Sequence, residues 1–152
     1  MPDLQRLFSE LIRLEIELWN AADARLRVGH DLPLGRFEAM QIIARHGACR
    51  VQDIALAMVI TVGGTSKLVD RLEAAGHCVR RANPDDRRSS LLELTPAGRD
   101  LLAEATLTFE DELARRLGAA LPAAELDRLG ATLSRLRVAG HELDTKPTER
   151  TA

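Results

Sequence analysis

The feature that most constrains this chain is the run from Val51 to Thr95, VQDIALAMVITVGGTSKLVDRLEAAGHCVRRANPDDRRSSLLELT. Its middle is a helix with both ends written into the sequence. Thr61 is placed to act as an N-cap and Gly76 as the stop, and between them Leu68, Val69, Leu72 and Ala75 share one arc at helical spacing. Gly63, Ser66, Lys67, Asp70, Arg71 and Ala74 share the opposite arc. Ahead of it, about Gln52 to Met58 forms a short helix with Ile54, Ala55 and Met58 turned inward. A helix of that length is marginal alone and must lean on a neighbour. Beyond Gly76, CVRRA and LLELT are strand candidates separated by NPDDRRSS, whose Asn-Pro and Asp-Asp are turn chemistry. The expected product is a hairpin with arginines near its tip.

The flanks carry a different pattern. Leu4, Leu7, Leu11, Leu14 and Leu18 recur at steps of three and four, and Phe8, Ile12 and Trp19 widen the stripe. So small a domain offers such a seam few internal partners, which assigns it partly to contact with a second copy. The segment RVGHDLPLG, with Gly29, Asp31, Pro33 and Gly35, should break the first helix and start the next. Phe37, Met40, Ile43 and Ala44 then mark a core-facing stripe that stops at His46 and Gly47. Thr95 followed by Pro96 reads as N-cap and N1 of a long helix with Leu102, Phe109, Leu113 and Leu117 on one face. Gly118 to Pro122 interrupts it, with Pro122 as N1 of a last helix carrying Leu126, Leu129, Leu133, Leu136, Gly140 and Leu143.

Aromatic residues make up 3% of the chain and Tyr is absent, so the core must be aliphatic, which favours helices over a sandwich or barrel. The expected fold class is mainly α, an α+β winged helix: a winged helix-turn-helix with N- and C-terminal dimerisation helices. The expected organisation is a single domain over 1–152, with dimerisation helices at 1–28 and 97–144, a winged helix-turn-helix lobe at 34–95 and a flexible tail at 145–152. No window approaches the roughly 18 apolar residues of a membrane span, so a cytoplasmic protein with no membrane partner is expected. Cys49 and Cys78 have neither the number nor the spacing of a disulfide framework or a CxxC metal site and read as reduced, partly buried thiols. The chain lacks a Gly-rich phosphate loop, a metal cluster and a nucleophile beside a base, so no catalytic residue, metal site or cofactor is expected.

A winged helix-turn-helix is a shape suited to duplex DNA. The formal net charge of −2 argues against a generic nucleic-acid coat, but Lys67, Arg71, Arg80, Arg81, Arg87 and Arg88 outnumber Asp70, Glu73, Asp85 and Asp86 between Lys67 and Arg88. Positive charge focused on a repulsive body favours register over indiscriminate sticking. A Lys and an Arg one turn apart can reach phosphate and base edge along one groove. A guanidinium at a hairpin tip suits a narrow A·T-rich minor groove. The N–H groups of Gly63 and Gly64, with no side chain in the way, could approach a phosphate at the helix start.

The segment from Ile54 to Gly98, with LVDRLEAAG and then RRANPDDRRSSLLELTPAG, closely resembles the MarR family of bacterial transcription regulators. Its most specific part is Asp86-Arg87-Arg88, the last of them seven residues before Thr95. The resemblance implies a triangular homodimer on double-stranded DNA at a pseudo-palindromic operator, commonly a repressor relieved by a small-molecule effector of unknown identity here. It implies that Thr65, Ser66, Lys67 and Arg71 face bases and phosphates in the major groove, behind the cap at Thr61. Arg88 would enter the adjacent minor groove, oriented by Asp86, while Arg87 and Arg81 hold phosphates. Trp19, His30 and Phe37 are candidates to line an effector crevice, with ordinary packing or surface roles as their alternative. Peroxide-sensing members carry a reactive cysteine near the start of the chain, which this one lacks. Many members have glycine where this chain has Val59, so a wider turn is expected there, because a β-branched residue is uncomfortable at positive φ. The Gly63-Gly64 pair lowers helix propensity, so the first turn is expected to order on binding DNA.

Overall fold

The structure, a computed structural model, describes residues 1–145. Of the expected tail, Thr145 belongs to the last helix and 146–152 lies outside the described residues. The chain divides into two units, Met1–Glu112 and Leu113–Ala152.

The first unit begins with α1 (Leu4–His30), capped by the Asp3 carboxylate, which accepts the Arg6 N–H at 2.9 Å. Gly29 does not break this helix. The stop is Asp31 in the left-handed region at φ 48°. Then come α2 (Leu34–His46) and α3 (Val51–Met58), with Gly47 at φ 73° between them. Phe37, Met40 and Ile43 of α2 are buried, but Ala44 is exposed, and Ala39 and Ile42 fill the positions beside the stripe. Next follow α4 (Val62–Ala74), antiparallel strands β1 (Cys78–Ala82) and β2 (Ser90–Leu94), and α5 (Pro96–Leu113). Ala75, placed by its spacing on the apolar arc of α4, is exposed as its C-cap.

One cluster forms the core of this unit: Leu26 from the C-terminal part of α1, Phe37, Met40 and Ile43 from α2, Ile54 from α3, Val69 and Leu72 from α4, and Leu92 from β2. Phe109 of α5 packs on Phe37 with ring centroids 4.9 Å apart. The hairpin gains a further edge that the sequence does not announce: Cys49 exchanges backbone hydrogen bonds with Leu92, at 3.2 and 2.7 Å. That bridge pins the start of α3 to the wing. Both cysteines are fully buried, and burial pushes each thiol up to about 11. The opening of α5 is pressed onto the start of β1. Thr95 accepts the Gly98 N–H and donates its hydroxyl to the Gly76 carbonyl, and a Cβ on Gly98 would lie 2.0 Å from the His77 carbonyl oxygen.

In the second unit a π-helical turn, Ala114–Gly118, precedes α6 (Ala123–Thr145). Pro122 lies one residue ahead of the helix, and its carbonyl accepts the Glu125 and Leu126 N–H groups. No residue of α6 is buried among the described residues, and Leu129, Leu133, Leu136 and Leu143 are exposed. No described helix is long and apolar enough to cross a membrane.

Candidate nucleic-acid interface

The interface is built around the start of α4. Thr61 caps it, its hydroxyl oxygen accepting the Gly64 N–H at 3.1 Å. That N–H is therefore engaged within the protein and is not offered to a phosphate as the sequence suggested. Gly64 is tight, since a Cβ there would sit 3.2 Å from the same oxygen, whereas a Cβ on Gly63 would meet nothing within 4 Å. Thr65 departs from its expected role. It is fully buried and its hydroxyl donates to the Thr61 carbonyl at 2.9 Å, so it packs the helix onto the core instead of facing outward. A threonine satisfied by the preceding turn can bury its methyl at little cost. Ser66 is half-buried, while Lys67 and Arg71 are exposed and carry no ion pair to another described residue.

Two of the remaining cations are committed within the fold. Arg80 bonds Asp70 at 2.5 Å and Glu73 at 3.0 Å, which straps α4 to β1. Arg81 donates to Glu93 across the hairpin at 2.6 Å, so the guanidinium expected to hold a phosphate is already paired with a carboxylate. The wing loop folds on itself. Asn83 accepts the Asp85 N–H and donates to the Ser89 hydroxyl, at 3.0 and 2.9 Å. Asp86 accepts the backbone N–H of Arg88 at 2.9 Å, so it sets the loop that carries Arg88 and does not hold its guanidinium. Arg87 and Arg88 are exposed and carry no ion pair to another described residue.

Between α3, the start of α4 and the wing lies a cleft of about 310 Å³, bordered by Arg50, Gln52, Val62, Asp86, Arg88 and Ser90. Arg50 escaped the sequence reading. It stands at the N-cap of α3, its guanidinium donating to Asp53 at 3.0 and 3.2 Å, and Asp53 in turn accepts the Arg50 backbone N–H at 2.8 Å. An acidic residue three places after a basic one at a helix start was the available signal. The Arg50 side chain, by its hydrogen bond, holds the Asp53 carboxyl below the ordinary carboxylate range.

The three effector candidates do not converge. Phe37 is a fully buried core residue, which corrects its assignment to a crevice. His30 is part-buried with Nε2 2.7 Å from the Thr108 hydroxyl, and Trp19 lies exposed on α1 beside a shallow depression formed with Glu15, Ile16 and Asn20. Val59, expected in a widened turn, instead adopts the left-handed conformation itself, at φ 56° and ψ 41°. The helix pair α3 and α4, closed by a turn and flanked by a two-stranded wing with arginines at its tip, defines a winged helix-turn-helix.

Comparison with known proteins agrees. The family model described as MarR family matches residues 32–90. An uncharacterized HTH-type transcriptional regulator of Bacillus subtilis, YfiV, is 34% identical over 65 residues, 43% of this chain and 41% of that protein. The multiple antibiotic resistance protein MarR of Salmonella typhimurium is 26% identical over 142 residues, 90% of this chain and 99% of that protein. Among solved structures, the transcriptional repressor CouR bound to a 23-mer DNA duplex superposes with a TM-score of 0.81 at 26% identity, covering 90% of this chain and 96% of that one. Over residues 32–90 this chain is similar to the MarR family. It spans 41%, 43% and 52% of the length of the three curated relatives that are 32–34% identical to it.

Proposed function

We propose that this chain is a sequence-specific transcription regulator that binds duplex DNA as a homodimer, acting as a repressor released by a small-molecule effector. One observation carries the reading. In a chain of net charge −2, Lys67 and Arg71 on α4 and Arg87 and Arg88 on the wing are exposed cations with no ion pair among the described residues, while Arg80 and Arg81 are spent on the fold. In this reading Ser66, Lys67 and Arg71 meet the major groove, Arg87 a phosphate and Arg88 the adjacent minor groove. Gly63 lets the backbone approach. A good base contact would be worth about 1–3 kcal/mol of discrimination. The homodimer is supported by the uncovered apolar faces of α1 and, separately, of α6. Repression and effector release are carried over from the MarR family that the chain resembles, and CouR, itself a repressor solved on a duplex, supports the DNA partner.

The test is a fluorescence anisotropy titration on a duplex enriched by this protein from a random-sequence pool. Arg88→Ala should weaken binding about tenfold, near 1.4 kcal/mol, at fixed salt and without changing the assembly state. Lys67→Ala should weaken enriched and random duplexes alike and lower the salt slope by about 1 if it holds a phosphate. An unaltered titration for Arg88→Ala overturns the minor-groove role, and the absence of any duplex preference overturns the function.

A further inference from the structure

The first residue of α4 is Val62, 56% exposed. We infer that Val62 reads the C5-methyl group of a thymine in the major groove, a specificity contact that rests on the duplex-DNA reading above. Its place supports this. The N-terminal residues of a recognition helix are the ones that reach base edges, and Val62 borders the cleft shared by Arg50 and Arg88, which puts its side chain on the side of the molecule that carries the wing arginine. Leu56 and Val59 are also exposed, at 72% and 84%, but they do not border that cleft.

The surrounding residues narrow the chemistry. In the first turn, Thr61 has its hydroxyl engaged by the Gly64 N–H, Gly63 and Gly64 carry no side chain, and Thr65 is buried. Among the helical residues that open α4, from Val62 to Thr65, Val62 is thus the exposed side chain, and it is apolar. Among the groups that base pairs display in the major groove, the thymine methyl is the apolar one. A valine side chain is stiff at χ1, so holding it against a methyl costs little conformational entropy. The open space around Gly63 leaves the base edge room to approach. The polar readers Lys67 and Arg71 then follow on later turns, so the head would recognise an apolar base edge first and charged or polar positions beyond it.

The experiment replaces each thymine of the enriched duplex in turn by deoxyuridine, which removes only the methyl group, and measures affinity for the wild-type chain and for Val62→Ala. That substitution raises helix propensity, so any loss of affinity is not a loss of helix, and it deletes both γ-methyls at a surface position. The expected result is one thymine position in the half-site whose replacement weakens wild-type binding about fourfold, the worth of one buried methyl, and leaves Val62→Ala unmoved. If no deoxyuridine position weakens the wild type, or if the loss persists unchanged in Val62→Ala, the inference is overturned while DNA binding stands. A pool that never enriches overturns the duplex reading beneath it instead.

Discussion

At Val59 the chain accepts backbone strain where the helix-turn-helix bends. The residue closes α3 with its N–H directed back to Ala55 and Leu56, at φ 56°. The left-handed region costs an L-residue roughly 1–2 kcal/mol, more comfortably met by asparagine or glycine than by a β-branched side chain. Its side chain is 84% exposed, so no packing offsets the strain. Val59→Gly should therefore stabilise the fold, by about 0.5–1 kcal/mol once the extra unfolded-state freedom of glycine is subtracted. The urea midpoint should move up with an unchanged slope, and a lower midpoint would show that this turn is not strained. The two cysteines make the opposite point. Cys49 and Cys78 have their thiols pushed up to about 11 by burial, so at neutral pH neither presents the thiolate that oxidants and alkylating reagents require.

At the scale of elements, one carboxylate ties the long first helix to the winged helix. Asp23 of α1 accepts the N–H of Leu34 at 2.8 Å and the Arg27 guanidinium at 2.5 Å, so it caps α2 from a neighbouring helix. Burial works to raise its carboxyl, but those hydrogen bonds outweigh it and the net shift is downward. A carboxyl that titrates lower in the folded chain than in the unfolded one stabilises fully above the ordinary Asp value near 4, and the contribution fades as pH falls through the depressed folded value. Between about pH 6 and pH 3, the wild type should therefore lose more stability than Asp23→Asn, read from urea midpoints at each pH. Equal losses would remove Asp23 from the account. Both ends of α4 and the start of α5 were legible in the sequence because caps are local: Thr61, Gly76 and Thr95-Pro96 announce themselves within four residues, whereas the end of α5 at Leu113, followed by a π-helical turn, carries no such signal. What stayed hidden depended on register or on distant partners. The Cys49 bridge to Leu92, the Arg81 pairing with Glu93 and the Arg80 strap to Asp70 and Glu73 all need strands or helices brought together first. Thr65 was misplaced because a small polar side chain gives helical periodicity no sign of which way it turns.

For the whole molecule, the question is what covers the apolar surface that its own chain leaves open. Leu26 and Ala22 anchor the C-terminal part of α1, but Leu4, Leu7, Phe8, Ile12, Leu14 and Trp19 lie 39% to 67% exposed along the rest of it. Burying one such side chain is worth about 1.5–3 kcal/mol, so a stripe of them is enough to hold two copies together against the entropy of association. Duplex DNA offers two half-sites on one face when they lie about one helical turn, roughly 34–36 Å, or a multiple of it apart, and a twofold dimer is the arrangement that presents two wings to such a repeat. An acidic body would be compatible with such a dimer, since each copy would need only the exposed cations of α4 and the wing directed at the grooves. The stripe can be tested without disturbing the winged helix. Leu14→Glu places a charge in the middle of the α1 seam, and should convert the wild-type two-chain mass in sedimentation velocity at micromolar concentration to a single-chain mass. Leu56→Glu, on a 72% exposed leucine of α3, is the control and should leave the mass unchanged. Loss of the two-chain mass in Leu14→Glu alone would place the contact on α1, and affinity for the enriched duplex should fall with it, because one wing cannot supply the contacts of two. A wild type that sediments as a single chain would overturn the dimer, and with it the expected spacing of the half-sites.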